Sequence, residues 1–373
     1  MAEKKAVGNK AADNKKAAVK APAKGGIFSS RNFKGDIITI AVLVIAYFII
    51  SNLKLSSLMT GLLVPVCVYI IMAMSLNLTV GILGELSLGH AGFMCVGAFT
   101  GVIFSRLIQS AAMPELFKFI LSILVATVAG AVFGIIIGIP VLRLNGDYLA
   151  IVTLAFGEII KALLNNLYVG KTADGSIEMN LSGFKNVTDS AGKFVSGPLG
   201  LTKIPKYATF EIAVVMVVLV YIICSHFIHS RDGRAVMAIR DNRIAAESVG
   251  INITKYKMIA FVLSSAMAGA AGCLYAHNYA TLQAVKFDYN KSILILVFVV
   301  LGGIGNIKGS IVSAIILTLL PELLRGIGNY RMLIYSILLI VIMLINWSPK
   351  SRVVVQRLGA KIKGIFVKEK AAV

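Results

Sequence analysis

Long apolar windows follow one another from residue 37 to residue 349, and all of them except 148–164, which holds Glu158 and Lys161, lack charged residues. A membrane-spanning helix needs about 20 predominantly apolar residues, with a range of about 17–25. We therefore predict about ten transmembrane helices in an all-α polytopic membrane protein; the eighth and ninth windows are short and share a glycine-rich turn. The ten windows are 37–53, 55–84, 86–105, 119–142, 148–164, 212–230, 258–285, 292–307, 309–321 and 332–349.

The composition agrees with lipid as the surrounding solvent. Of the 373 residues, 58% are apolar and 14% are charged, whereas soluble domains have about 45–50% and about 25%. Much of the net charge of +20 lies in two ends, since residues 1–35 hold nine basic and two acidic residues and residues 348–373 hold seven and one. A nucleic-acid-binding protein would spread this charge over a folded face, so we expect a lipid bilayer as the partner and no nucleic acid.

The distribution of basic residues predicts the orientation and the domain organisation. Basic residues concentrate on the cytoplasmic side of membrane proteins, and ten spans with both termini inside place 24 of the 37 basic residues there. We predict a disordered basic cytoplasmic tail over 1–35, a transmembrane domain over 36–347 and a second basic cytoplasmic tail over 348–373. The stretch 165–208 then lies outside as a polar loop.

The segment 231–257 lies inside, between two confident spans, and carries charges of both signs. We predict one short helix over 234–249, with an apolar stripe of Val236, Ile239, Ala246 and Val249. Helices that lie on lipid usually carry bulky Trp, Phe or Leu on the apolar face. The small residues of this stripe are better suited to a groove on a partner protein.

This segment resembles the coupling loop of permease subunits from prokaryotic ABC importers. Their signature EAA-x-x-x-G appears here as Ile244-Ala245-Ala246 and Gly250, with Ile in place of the Glu. That departure is expected in the LivM-type branched-chain amino acid permeases, which further stretches of the chain also resemble. These stretches are 77–99, 143–160, 233–252, 301–310 and 320–325.

The resemblance implies the function and the partners. The chain would be the membrane-spanning permease subunit of an importer of branched-chain amino acids in the plasma (inner) membrane of a prokaryote. Two cytoplasmic ABC ATPase subunits would bind ATP, a second related permease subunit would pair with the chain, and an extracytoplasmic solute-binding protein would deliver the cargo. The ATPase-coupling residues would be Gly233, Arg234, Arg240, Asp241, Ala245, Ala246, Glu247 and Gly250. The outer loop departs from the family, because Lys171–Ser176 replaces the usual Thr-Gly-Gly-x-x-Gly pattern.

Two glycine-rich clusters are candidates for the translocation path. Polar groups and broken helices within a membrane usually line a cavity or a transport path. The alternative is that each cluster is a plain turn at the cytoplasmic surface. The candidate residues are Asn77, Glu85, Ser87, Gly89 and His90 in the first cluster, and Gly302, Gly303, Gly305 and Asn306 in the second.

We expect no catalytic residue, no metal site and no cofactor in the chain itself. The triplet Gly170-Lys171-Thr172 lacks the earlier glycine of a phosphate-binding loop, which is Asn165 here. Two further classes stay open besides the amino acid importer: an ABC permease for urea, nucleosides or another small polar solute, and a stand-alone ion-coupled carrier. A carrier would need acidic or histidine relays deep in the spans, and Glu158 is the main acidic residue at that depth.

Overall fold

The computed structural model describes residues 33–52, 57–109, 113–142, 144, 147–172, 177–181, 183, 192–330, 333–334, 336–337 and 339–340. The chain divides into residues 1–39 and residues 40–373. Residues 33–39 of the first unit begin helix α1, Phe33–Asn52. The basic tail predicted for 348–373 and residues 1–32 of the other tail lie outside the described residues.

Ten further α-helices occur among the described residues of the second unit. They are α2 (Ser57–Asn77), α3 (His90–Leu107), α4 (Glu115–Val141), α5 (Asp147–Asn165), α6 (Phe210–His229), α7 (Arg231–Asp241), α8 (Arg243–Ser248), α9 (Ile253–Ala276), α10 (Tyr289–Gly302) and α11 (Ile307–Leu323). A π-helix, Leu78–Leu83, continues α2. Short 3-10 segments cover Gly197–Leu199, Ala284–Phe287 and Leu324–Tyr330.

Seven helices in the described part of the chain are long and apolar enough to cross a membrane, which confirms the all-α polytopic class. They are Met59–Leu83, His90–Leu107, Glu115–Val141, Tyr148–Asn165, Phe210–His229, Ile253–Ala276 and Ile307–Gly326. The first predicted span contains the shorter apolar helix Asp36–Ile50. The eighth corresponds to α10, which has 14 residues, and most of the tenth lies outside the described residues.

The stretch predicted as a polar outer loop contains a small antiparallel sheet, which the hydropathy pattern did not predict. Its strands are β1 (Tyr168–Lys171), β2 (Ile177–Asn180) and β3 (Lys193–Ser196), in the order β2-β1-β3. Val169 and Val195 pair across β1 and β3, and both are fully buried. These strands are too short for alternation to stand out against the polar residues around them.

Helix α9 lies at the centre of the bundle and packs closely against α3 and α4 at glycines. A Cβ atom at Gly97 would lie 2.0 Å from the carbonyl oxygen of Gly269, and one at Gly130 would lie 2.6 Å from the carbonyl oxygen of Ser265. Small residues allow helix backbones in a membrane to approach each other in this way. These glycines therefore form helix–helix contacts. The four cysteines are free and buried.

Helices α3 and α10 both begin inside the bundle. Ser75 donates its hydroxyl to the carbonyl oxygen of Ser264 at 2.7 Å, and the same hydroxyl lies 2.7 Å from Nε2 of His90, the first residue of α3. Ser264 lies eleven residues into α9, about 16 Å along its axis. Likewise, the first amide of α10, at Tyr289, donates to Glu158 near the middle of α5, at 3.1 Å. The span predicted to begin at residue 86 was therefore wrong at its start, because residues 84–89 are not helical.

The segment 231–249 contains two helices, so the prediction of one helix over 234–249 was wrong. Asn242 lies between α7 and α8 with extended backbone, φ −155° and ψ 104°, and its side chain accepts the Ala245 amide at 3.1 Å. A side-chain oxygen at this position caps a new helix. The predicted apolar stripe is divided as well, because Val236, Ile239 and Ala246 are buried within the chain whereas Val249 is 74% exposed.

Candidate functional site

Helix α7 is joined to the end of the π-helix by Arg240. Its guanidinium donates from Nη1 to the carbonyl oxygen of Gly81 at 2.8 Å. Carbonyls in the last turn of a helix lack a partner within that helix, so the guanidinium caps this end. Asp241 accepts from Nε and Nη2 of Arg240 at 3.1 Å and 2.9 Å, which holds the guanidinium in place.

Gly84 leaves room for the Arg240 side chain. Gly84 has φ +80°, and a Cβ atom there would lie 2.5 Å from Cγ of Arg240. A larger residue would therefore meet both backbone strain and a steric clash. The sequence identified Arg240 as a coupling residue and the 77–90 cluster as a path candidate, but it gave no signal that the two are in contact.

Asn77 brings the two glycine-rich clusters together. Its Oδ1 accepts the Gly305 amide at 2.8 Å, and its Nδ2 donates to the Ser310 hydroxyl at 2.8 Å. Gly81 lies against the same turn, since a Cβ atom there would be 2.3 Å from the Gly305 nitrogen. Gly303 and Gly305 have φ +93° and +83°, which glycine adopts without strain. The two predicted clusters thus form one connected region.

Glu85 forms an ion pair with Lys257 of α9, a residue that the sequence analysis missed. Lys257 is 6% exposed, and the only sequence signal for it was a basic residue directly before the apolar window 258–285. Burial raises the pKa of the Glu85 carboxyl, and the ion pair with Lys257 opposes this rise. Within the described residues, Glu85 Oε2 and Ser87 Oγ are buried without a hydrogen-bond partner.

The segment 84–89 is buried in part, since Ser87 and Gly89 are buried whereas Gly84 and Leu86 are exposed. Ser87 and His90 are 1% and 2% exposed, and Gly89 is buried as well. The Leu88 amide donates to the Thr153 hydroxyl at 3.1 Å, which ties the segment to α5. Non-helical backbone at membrane depth is tolerated where it is buried in protein or lines a cavity. The buried residues of the segment fit a place within the bundle, and their role in the translocation path stays a prediction.

The remaining predicted coupling residues fall into an exposed and a buried set. Arg234, Asp241, Ala245, Glu247 and Gly250 are exposed. Ala246 is 4% exposed. Gly233 is buried in the turn after α6, where a Cβ atom would lie 2.1 Å from the Phe227 carbonyl oxygen. Only the exposed residues can contact a partner through side chains or backbone. The two buried residues, Gly233 and Ala246, pack within the chain instead.

The fold and this site are those of a polytopic membrane protein in which the segment 231–252 is attached to a broken-helix region. Residues 58–345 match the family described as "Branched-chain amino acid transport system / permease component", and the chain belongs to this family. Its function is that of a membrane-spanning permease subunit of a branched-chain amino acid ABC importer. The family sets aside the stand-alone carrier.

Curated relatives agree with this assignment. The chain is 32% identical over 306 residues to the high-affinity branched-chain amino acid transport system permease protein LivM of Salmonella typhimurium, covering 79% of this chain and 70% of the relative. The LivM protein of Escherichia coli strain K12 gives the same identity and coverage. The fructose import permease protein FruG of Bifidobacterium longum is more distant, at 22% over 268 residues, which are 69% of this chain and 72% of the relative. No solved structure matches the chain significantly.

Proposed function

We propose that the chain forms one half of a translocation path for branched-chain amino acids in a prokaryotic inner membrane. A second related permease subunit completes the path, two cytoplasmic ATPases drive it, and an extracytoplasmic binding protein delivers the cargo. The chain crosses the membrane ten times and has both termini in the cytoplasm. Membership of this family supports ATPase and binding-protein partners in general. The concentration of basic residues on one side of the predicted topology supports the orientation.

The hydrogen bond from Arg240 to Gly81 carries the proposed coupling mechanism. A displacement of α7 by an ATPase would pull on the carbonyl end of the π-helix. Gly81 in turn lies against Gly305, so the displacement would reach both path clusters. An ATPase biases such a bundle only if its contacts differ between the two states of the path.

The exposed apolar side chains of the segment supply an ATPase contact. Ile244 is 81% exposed and Val249 is 74% exposed, on either side of the exposed Ala245. Apolar side chains exposed together usually mark an interaction site. We therefore assign the contact with the ATPase groove to α8 and the transmission to α7. Gly250, with φ +83°, ends the contact surface.

The cargo is tested with the complete complex in proteoliposomes. Labelled leucine should accumulate only when both permeases, the ATPases, the binding protein and ATP are present. Labelled urea and a labelled nucleoside serve as the competing cargoes. Leucine uptake by this chain alone, or uptake of a nucleoside in place of leucine, would overturn the proposal.

The orientation is tested with single introduced cysteines. The native cysteines are buried, whereas Ala245 is exposed and Leu199, in the segment assigned to the outside, is 66% exposed. A membrane-impermeant maleimide should label Leu199→Cys in intact cells and Ala245→Cys only in inverted vesicles. Labelling of Ala245→Cys from the outside would overturn both the orientation and the coupling role.

A further inference from the structure

Lys291, in the first turn of α10, lies among aromatic rings. Its Nζ atom is 4.3 Å from the ring centre of Tyr275, 5.2 Å from that of Phe287 and 5.9 Å from that of Tyr69. Each distance is within the range in which a cation is attracted to the face of a ring. The rings hold the ammonium in place but do not neutralise its charge.

No carboxylate pairs with this ammonium among the described residues. Its Nζ donates to the Tyr275 hydroxyl at 3.2 Å, and a lysine ammonium has three donors. The neighbouring carboxylate of Asp288 is engaged elsewhere, because Oδ1 accepts the Lys291 amide at 3.2 Å and Oδ2 accepts from Asn290 at 2.8 Å. Lys291 therefore keeps hydrogen-bonding capacity for an anion.

The ammonium lies at depth, near the break before α3. The next residue, Ser292, accepts the Ala91 amide at 3.0 Å, and Tyr289 contacts Glu158 in the middle of α5. Lys291 is itself partly buried. Ionisable groups at this depth are costly, and they usually face a partner, a cavity or a path for a polar solute.

We propose that Lys291 binds the α-carboxylate of the amino acid cargo during its passage, and that the rings of Tyr275 and Tyr69 contact the cargo's apolar side chain. This inference rests on the proposed function. A carboxylate would receive charge-assisted hydrogen bonds from Nζ, and it would neutralise the ammonium only while cargo is present. The ammonium thus recognises the α-carboxylate that all amino acid cargoes share, and the aromatic rings select among cargo side chains.

Chemical modification of the wild-type complex tests the site directly. The complete complex in detergent is treated with acetic anhydride, and acetylation of individual lysines is measured by mass spectrometry. Leucine should lower the acetylation of Lys291 several-fold. The amine 3-methylbutylamine has the same apolar side chain and no carboxylate, and should not protect. The exposed Lys206 should react equally in all samples. Equal protection by both compounds, or none by leucine, would overturn the inference.

Transport by variants provides the second test. Lys291→Met should lower the leucine imported per ATP hydrolysed about tenfold, with the thermal stability of the complex retained. Lys291→Arg should keep part of the uptake, and Lys206→Met, at an exposed lysine, should match the wild type. Wild-type transport by Lys291→Met would overturn the role of Lys291 and leave the proposed function standing. Absence of leucine import by the wild type would instead overturn the proposed function.

Discussion

Arg240 donates a hydrogen bond to the carbonyl oxygen of Gly81 at 2.8 Å, across 159 residues of sequence. The first residue belongs to helix α7, and the second belongs to the π-helix that continues the long helix α2. π-helical segments occur frequently at functional sites. This contact connects the proposed ATPase-binding surface with the region where the two glycine-rich clusters meet.

Replacing Arg240 with Met should uncouple transport from ATP hydrolysis. A hydrogen bond from a charged donor contributes about 1.5–3 kcal/mol, so we expect leucine uptake per ATP to fall about tenfold or more. Uptake and ATPase rates measured on the same proteoliposomes check this ratio. Arg231→Met is the matched control, since Arg231 is exposed in the same helix α7 and is not one of the predicted coupling residues. An unchanged ratio in Arg240→Met would contradict the coupling mechanism.

Gly81→Ala should destabilise the protein and stop uptake. The added Cβ atom would lie 2.0 Å from Asn77 Oδ1 and 2.3 Å from the Gly305 nitrogen, so the contact between the clusters must open. Gly61→Ala, in the same helix α2, is the control because nothing lies within 4 Å of its Cβ position. There alanine should be neutral or slightly stabilising. Thermal unfolding in detergent distinguishes the two, and equal melting temperatures would refute the packing argument.

The ion pair between Glu85 and Lys257 predicts a pH dependence of stability. Burial raises the pKa of Glu85 above its ordinary value of 4.5, and Lys257 opposes this rise. At pH values between 4.5, the pKa of Glu85 in the unfolded chain, and its higher pKa in the folded protein, the folded protein binds more protons than the unfolded chain. The free energy of unfolding therefore falls as pH rises through this window, and Glu85 adds no further slope above it.

Glu85→Gln should lack this component of the pH dependence. The melting temperatures of the wild type and the variant are measured from pH 4.5 upward. Their difference isolates the contribution of Glu85, because the contributions of all other titrating groups are the same in both proteins and cancel. Identical slopes in the two proteins would show that the Glu85 carboxyl has the same pKa in the folded and unfolded states.

A charge on the exposed side of α8 should release the ATPases. Ala246 is 4% exposed, so a charge there would disturb the packing of the segment as well as any partner contact. Ala245 is exposed and provides the cleaner test. Ala245→Glu should abolish uptake and co-purification of the ATPases while insertion into the membrane and melting temperature stay unchanged. Lys286→Glu, on the opposite side of the membrane in our orientation, should retain the ATPases. Normal co-purification with Ala245→Glu would count against α8 as the docking helix.

Local patterns predicted part of the candidate site. The glycines at 302, 303 and 305 and the polar residues after Leu83 interrupt apolar windows, so they were visible as breaks. Lys257 was not recognised, because a basic residue at the edge of an apolar window has the same appearance whether it faces water or a buried carboxylate. The choice of Glu85 as its partner depends on how α9 packs, and hydropathy carries no information on that.

The sequence by itself determined the membrane class, the seven long apolar helices and the position of the charged segment 231–257 between two of them, since burial in lipid requires long runs of apolar residues that are visible locally. Only the tertiary structure decided that α3 and α10 begin inside the bundle, that the segment 231–252 forms two helices, and that Asn77 joins Gly305. Such contacts connect residues far apart in the chain. Their geometry follows from helix packing, in which buried polar groups must find partners wherever neighbouring helices place them.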